Sequence, residues 1–294
     1  MPRRPCKRLA NAEERRWVEP GHVYLVGTPI GNLEDFSPRG QAVLRQVDRI
    51  LCEDTRETEI LCRQFGITRP LVSFHAHNAQ KRLPLIAQWL TEGQSLAMVS
   101  DRGMPAVSDP GQELVTFLYQ HAWPFTVVPG PSAQVVAYAA SGYPHPYVFW
   151  GFLPSAGKAR AERVAEIAAS AFTGVLYIAP HHMEKTLETL AKALGSHRQV
   201  TVGRELTKRF EEFWQGTLGD LLAQERMWRG ELVLVLAPPG EVAQETDWEA
   251  CMRAVEERVE AGEKTKEAIE YIASTHHVSR RELYNRIQSL RRNN

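Results

Sequence analysis

The sequence predicts an α/β protein: two α/β lobes followed by a small helical tail within 294 residues. Three observations carry that expectation. Short apolar runs that stop at turn-rich segments alternate with helix-length stretches. A proline-bearing break at 142–146 is followed by a restart of the same pattern. Beyond Pro238-Pro239-Gly240, charged helical segments replace the apolar runs.

Taken in order, residues 23–27 (VYLVG) have the composition of a buried strand and end at TPIGN. Pro38 opens a helix over 38–46, with Ser37 as its cap. Residues 49–52 form the next strand and run into Glu53-Asp54-Thr55-Arg56; a helix over 56–65 then stops at Gly66. A strand at 71–74 precedes a helix over 79–92 that ends at Gly93. The run LAMVS (96–100) is another buried strand and stops at Asp101. A helix over 110–120, a strand at 125–128, the turn PGPSA and a helix over 132–141 complete the first lobe. This alternation implies a mostly parallel sheet covered on both faces.

After the break, strands are expected at 147–151, 175–179, 199–203, 213–215 and 231–236, with helices over 158–170, 183–193 and 217–225. Helices follow over 246–261 and 265–275, and Ser279 is placed to cap a last helix running to Leu290. Helix, short His-His-Val turn and capped basic helix make a helix-turn-helix-like plan. The organisation read from this is a basic arm (1–20), lobes at 21–145 and 146–240, and a basic helical tail (246–294).

Hydrophobic residues at 43% and charged residues at 24% are ordinary for a soluble globular chain. No apolar run approaches the roughly 18 residues of a membrane-spanning helix. The basic first twenty residues lack the apolar core of a secretory signal. Cys6, Cys52, Cys62 and Cys251 are scattered and form no C-x-x-C pair, which argues against a zinc cluster or disulfide framework and for a cytoplasmic setting; no metal is expected. Net charge is zero but uneven: six Lys/Arg against three Asp/Glu in 1–20, seven against three in 264–294, and 22 against 29 between. Basic ends on an acidic body suggest a polyanion held by the ends, or simply solvated termini.

Ligands of open α/β sheets sit beyond the carboxyl ends of the strands. Three turn-rich segments lie at such ends: TPIGN (28–32), SDRGMPAVSDPG (100–111) and PGPSA (129–133). Asp101 would project there toward a ligand hydroxyl or ammonium, and the helix start at Ser132 and Ala133 would offer N–H groups to a carboxylate. Each segment alone reads as a tight turn; together they point to a ligand cleft. Neither G-x-x-x-x-G-K-[ST] nor a strand-linked G-x-G-x-x-G is present, against NTPase and dehydrogenase readings.

The strings GTPIGNL (27–33), EDTR (53–56), SDRGMPAVSDPG (100–111), VPGPSA (128–133), GFLP (151–154), VGRELTK (202–208) and RGELVLV (229–235) occur in that order. In them the chain resembles the tetrapyrrole-methylase-like (class III) methyltransferases, and among these the small-subunit ribosomal RNA cytidine 2′-O-methyltransferases. The resemblance runs from about Tyr24 to the C-terminus. It implies two α/β lobes of the tetrapyrrole methylase fold, S-adenosyl-L-methionine in the cleft between them, and a homodimer. Carried over by residue, it implies Pro29 near the cofactor, Asp101 and Met104 beside its sugar and methionyl parts, backbone contacts from Ser132 and Ala133, and closure over the adenine by Leu206 and Gly230. Arg102 stands where the family has a small residue, Met104 where it has Thr, and APHH (179–182) where it has APHR.

Transfer to a ribose hydroxyl demands alignment and removal of a proton. Candidates for that work are Glu53, Asp54 and Arg56 in the first lobe and Arg204, Glu205 and Lys208 in the second, each set following an expected strand. The same residues could instead form salt bridges between the lobes. In the tail, Lys264, Lys266, Arg280, Arg281, Arg286, Arg291 and Arg292 would contact the phosphates of small-subunit ribosomal RNA, free or in the assembled subunit. Other readings are a methylase of a tetrapyrrole or another small molecule, a metabolite-sensing DNA-binding regulator, and an RNA-binding assembly factor without catalysis.

Overall fold

A computed structural model describes residues 16–224, 226–239, 248–260, 262–275, 280 and 283–287. The chain divides between Pro238 and Pro239 into two compact units. The larger contains two five-stranded sheets.

The first sheet is built from β1 (Val23–Val26), β2 (Arg49–Cys52), β3 (Leu71–Ser73), β4 (Leu96–Met98) and β5 (Phe125–Val128), in the order β3-β2-β4-β1-β5. All four pairings are parallel. Parallel neighbours require crossovers, supplied by α1 (Pro38–Gln46), α2 (Thr55–Gln64), α3 (Ala79–Thr91) and α4 (Gln112–Gln120); α5 (Ala133–Ser141) follows β5. The expected bounds of α1, β2 and β5 coincide with the observed ones, and the Ser37 side chain accepts from Gly40 N at the start of α1. Alternate residues of β1 serve different cores. Tyr24 and Val26 pack with Val43, Leu44 and Cys62, whereas Val23 and Leu25 pack with Ile86, Leu90, Leu114 and Leu118. Burial on both faces is why the strand reads as an unbroken apolar run.

Chain order carries β1 toward β2 on one side and β4 toward β5 on the other. The loop after β1 leads to α1 on one face of the sheet and the loop after β4 to α4 on the other, so the loops of these adjacent strands leave a crevice between them.

The second sheet contains β6 (Tyr147–Phe152), β7 (Thr173–Ile178), β8 (Gln199–Arg204), β9 (Glu212–Thr217) and β10 (Leu232–Leu236), in the order β6-β7-β10-β8-β9. It departs from the parallel arrangement that the restarted pattern suggests. Only β6 and β7 pair in parallel; β10 lies antiparallel between β7 and β8, and β8 and β9 are antiparallel. The stretch 205–211 is too short for a crossover, so β8 and β9 form a hairpin. The helices are α6 (Gly157–Ala169), α7 (Met183–Leu194) and α8 (Leu218–Leu222); α8 is shorter than expected and starts at a Thr217–Asp220 capping box.

One face of this sheet packs Leu176, Leu234 and Val202 with Leu187 and Leu190 of α7. The other joins the lobes: Val175, Val233 and Val235 cluster with Ala137 and Tyr138 of α5, with Ile30, and with Leu206.

The smaller unit contains α9 (Trp248–Glu260), α10 (Thr265–Thr275) and helical residues at 283–287. Its core is Cys251, Val255, Ala268, Ile269, Ile272, Leu283 and Ile287. Lys264, Lys266, Arg280 and Arg286 are exposed. The expected turn at 276–278, the cap Ser279, Arg281, Arg291, Arg292 and most of the basic arm lie outside the described residues. No helix among the described residues is long and apolar enough to cross a membrane.

Candidate functional site

The turn-rich segments meet at the carboxyl edge of the first sheet. Thr28 is fully buried; its N–H donates to Gly103 O (2.9 Å) and its carbonyl accepts from Gly103 N (3.2 Å). The Thr28 hydroxyl donates to Ser100 O (3.2 Å). Gly27 and Gly130 pack backbone against backbone. A Cβ on Gly130 would lie 2.8 Å from Gly27 Cα, and one on Gly27 would lie 2.7 Å from Gly130 N. Glycine is needed at both because no side chain has room. Gly130 N also donates to Met104 Sδ (3.3 Å), tying the PGPSA turn to the loop after β4.

That loop closes on itself: Ala106 N donates to Pro110 O (3.1 Å). Ala106 and Ser108 both hold left-handed conformations, at φ 65° and 60°. Such backbone costs on the order of 1 kcal/mol or more for a residue with a Cβ, and it clusters at functional loops.

Beneath these loops is a cavity of about 340 Å³ between the lobes. The first lobe contributes Ile30, Met104, Asp109, Ser132 and Ala133; the second contributes Tyr177, Ala179, Leu206, Glu231 and Val233. Its size and mostly apolar wall with a few polar groups are those of a small-molecule site. The helix α5 begins at the cavity, and its cap Ser132 makes no side-chain bond to the helix. Gln134 N donates to the Tyr177 hydroxyl (3.3 Å) across the lobes. A larger groove, about 730 Å³, lies between α3 and α4 and is lined by Leu83, Phe117 and His121; none of the carboxyl-edge loops reaches it.

Of the residues expected at a cofactor, Met104, Ser132, Ala133 and Leu206 line the cavity. Pro29 is buried beside lining Ile30. Asp101 sits off the wall; its Oδ1 accepts from Asp54 N (3.3 Å), and burial raises its carboxyl above the usual range. Gly230 (φ 80°) packs on the Glu205 carboxylate, which leaves no space for a Cβ. Arg102 stands at the rim, paired with Glu231 across the lobes.

The two charged sets have different neighbours. Asp54 caps α2 and takes two hydrogen bonds from the Arg56 guanidinium (3.1 and 2.6 Å), which hold its carboxyl at about 2. Arg56 itself projects into solvent. Glu53 is raised by burial and by Asp101. In the second lobe, Arg204 and Arg226 clamp Glu212, whose carboxyl falls to about 2, chiefly through Arg226. Lys208 bridges Glu205 (2.8 Å) and Glu231 (2.7 Å), and Glu205 Oε1 also accepts from Glu231 N (3.0 Å). Arg102, Glu231, Lys208 and Glu205 thus form one ionic chain from the rim inward.

Asp109 and Tyr177 are among the lining residues that the sequence reading did not single out. Asp109 lies inside the quoted loop string, where an Asp before Pro reads as a turn residue. Burial and the nearby Glu53 and Asp101 lift its carboxyl to about 6. Tyr177 lies inside a strand and reads as core; burial raises its phenol.

The tetrapyrrole (corrin/porphyrin) methylase family matches residues 22–222. "Ribosomal RNA small subunit methyltransferase I" of Bacillus subtilis (strain 168) is 40% identical over 272 residues, 90% of this chain and 93% of the relative. The protein of that name from Xylella fastidiosa is 44% identical over 222 residues, 74% of this chain and 81% of the relative. Among solved structures, uroporphyrin-III-C-methyltransferase from Thermus thermophilus shares the fold, with TM-score 0.54 at 20% identity over 76% of this chain and 98% of that one. A cobalt precorrin-4 methyltransferase does so with TM-score 0.55 at 17% identity, covering 73% and 94%. The chain is accordingly a methyltransferase and belongs to the tetrapyrrole methylase family, in the group that includes the ribosomal RNA small subunit methyltransferases I.

Proposed function

We propose that this protein methylates the 2′-hydroxyl of a cytidine ribose in small-subunit ribosomal RNA. The observation that carries the reading is the two-lobed cavity, in a chain that aligns over nine-tenths of its length with relatives named for that RNA. Methyltransferases of this family draw on S-adenosyl-L-methionine, which presents an electrophilic methyl on a positively charged sulfur.

The cavity suits that group. Ile30, Met104, Leu206 and Val233 give apolar walls, and the N-terminus of α5 at Ser132 and Ala133 faces the cavity, where it suits a carboxylate. Pro29, Asp101 and Gly230 shape the loops behind the wall. Glu53, Asp54 and Arg56, with Arg204, Glu205 and Lys208, are proposed to position the acceptor and manage its charge. Asp54 and Arg56 pair with each other and Arg204 pairs with Glu212, whereas Lys208 bonds to Glu231 of the cavity wall, so within these sets Glu53 and Lys208 are the members to test first. The exposed cations of the smaller unit are proposed to hold RNA phosphates, and the protein to act in the cytoplasm as a homodimer.

The deciding experiment supplies methyl-labelled S-adenosyl-L-methionine with free small-subunit RNA, assembled small subunits or a tetrapyrrole precursor. Label on a cytidine ribose supports the reading; label on the tetrapyrrole alone overturns it. Glu53→Gln and Lys208→Ala should reduce turnover more than they weaken cofactor binding, and full activity in both would remove those assignments.

A further inference from the structure

A hydroxyl that attacks a methyl group must lose its proton, and the base must stand at the cavity wall. Two carboxylates line that wall, Asp109 and Glu231. Glu231 is engaged by Lys208 and Arg102, so its charge is already compensated. Asp109 is in the opposite situation. The charges acting on it are the negative ones of Glu53, beyond β2, and Asp101, beyond β4, and its hydrogen-bond partner is the Ser100 hydroxyl. From β7 the Tyr177 phenol faces it. Arg102, Glu231, Lys208 and Glu205 are the other charged groups at the cavity, joined in one ionic chain.

The loop that carries Asp109 is preorganised. Ala106 and Ser108 turn through left-handed conformations, the Ala106 N–H closes onto Pro110 O, and a Cβ on Gly111 would lie 3.3 Å from Ala106 N. A backbone so constrained holds the carboxylate in one place, which is what a proton acceptor in an in-line displacement requires.

We propose that Asp109 is the catalytic base that takes the proton of the acceptor hydroxyl. The proposal rests on the methyltransferase reading given above. As the hydroxyl oxygen bonds to the methyl carbon, the carbon–sulfur bond breaks and its electron pair stays on sulfur. The hydroxyl proton passes to the Asp109 carboxylate, and the products are a methyl ether, a neutral thioether and a neutral carboxylic acid. A cation and an anion vanish together, so a partly dry cavity favours the step. Burial and the two neighbouring carboxylates raise Asp109 to about 6, where a base is strong yet still ionised at neutral pH. Asp54, held at about 2 by Arg56, is a far weaker base.

The test uses the full chain with Asp109→Asn and Asp109→Glu. Calorimetry gives the affinity for S-adenosylhomocysteine, and single-turnover methyl transfer to small-subunit RNA is followed from about pH 5 to about pH 9. Asp109→Asn should keep its affinity within about threefold and lose on the order of 10²–10⁴-fold in rate. The wild-type rate should fall on the acid side with a midpoint near 6, and that limb should vanish in Asp109→Asn and survive, at reduced rate, in Asp109→Glu. An Asp109→Asn variant that keeps both rate and acid limb overturns the proposal. So does one whose affinity falls as far as its rate, since Asp109 would then be holding the cofactor. If the wild type itself methylates no RNA, the functional reading fails, and the proposal with it.

Discussion

Replacing Gly130 with alanine tests the claim that backbone contact between two loops sets the cavity's shape. Gly130 has no positive φ, so alanine carries no conformational penalty there, and the whole cost is steric. The new Cβ would stand 2.8 Å from both Cα and C of Gly27 and 2.9 Å from its carbonyl oxygen. These are backbone atoms with no rotamer by which to retreat. Each contact is well inside the roughly 3.5–4.0 Å at which carbons attract, so the loops must separate by several tenths of an ångström. Overpacking of this kind costs about 1–3 kcal/mol, or about 2–12 °C of melting temperature for a unit of this size. The separation also pulls Gly130 N from Met104 Sδ and moves Met104 in the cavity wall. We expect affinity for S-adenosylhomocysteine to fall by about tenfold or more, the equivalent of roughly 1.4 kcal/mol. Gly66→Ala is the control: nothing lies within 4 Å of its Cβ, and its φ of +61° costs only local backbone strain. It should lower the melting temperature without touching affinity. Equal affinity in Gly130→Ala and wild type would refute the reasoning, because the loops would then be free to part without reshaping the site.

Three more outcomes follow from the geometry. Asp109 is raised by burial, so its ionisation works against folding: that penalty is absent below the ordinary aspartate value and is felt as pH rises through about 6. Asp109→Asn should match wild-type melting near pH 4 and exceed it near pH 8, by about 1–2 kcal/mol once solvent screening of the carboxyl is allowed for. Glu212 has the opposite sign; depressed to about 2 by Arg226 and Arg204, it stabilises above the ordinary glutamate value and loses that contribution as pH falls through about 2. The melting difference between wild type and Glu212→Gln should therefore be present at about pH 6 and close by about pH 2. Changing Lys264, Lys266 and Arg280 to serine should weaken RNA binding at low salt and flatten its salt dependence by a slope of about 2, while cofactor affinity stays level.

What the sequence made legible follows from what is local. An apolar run buried on both faces, a serine–proline helix start at 37–38 and glycines ending the helices are written in adjacent residues, and the first sheet follows from them. The loop strings located the crevice for the same reason, since turn chemistry is local too. The placement of β10 between β7 and β8 is not local: it depends on pairing residue 234 with both 176 and 202. Glu231 consequently read as the mere start of a strand, and its bonds to Lys208 and Arg102 became visible only with the sheet assembled. Asp109 was hidden differently. Its proline neighbour explains it as a turn, and only the convergence of Glu53 and Asp101 upon it gives the carboxylate its character.

The antiparallel insertion of β10 also bears on how the protein is made. Synthesis delivers the first sheet early, and it can fold as the chain emerges. The cavity cannot follow until residues 231–236 exist, because without β10 the strands β7 and β8 have no partner between them and Glu231 and Val233 are missing from the wall. A chain interrupted between the end of α5 and that point would hold the elements of the first lobe and lack part of the cavity wall. The wall is thus completed only once the last strand among the described residues has been made, and products cut short before residue 231 lack part of it.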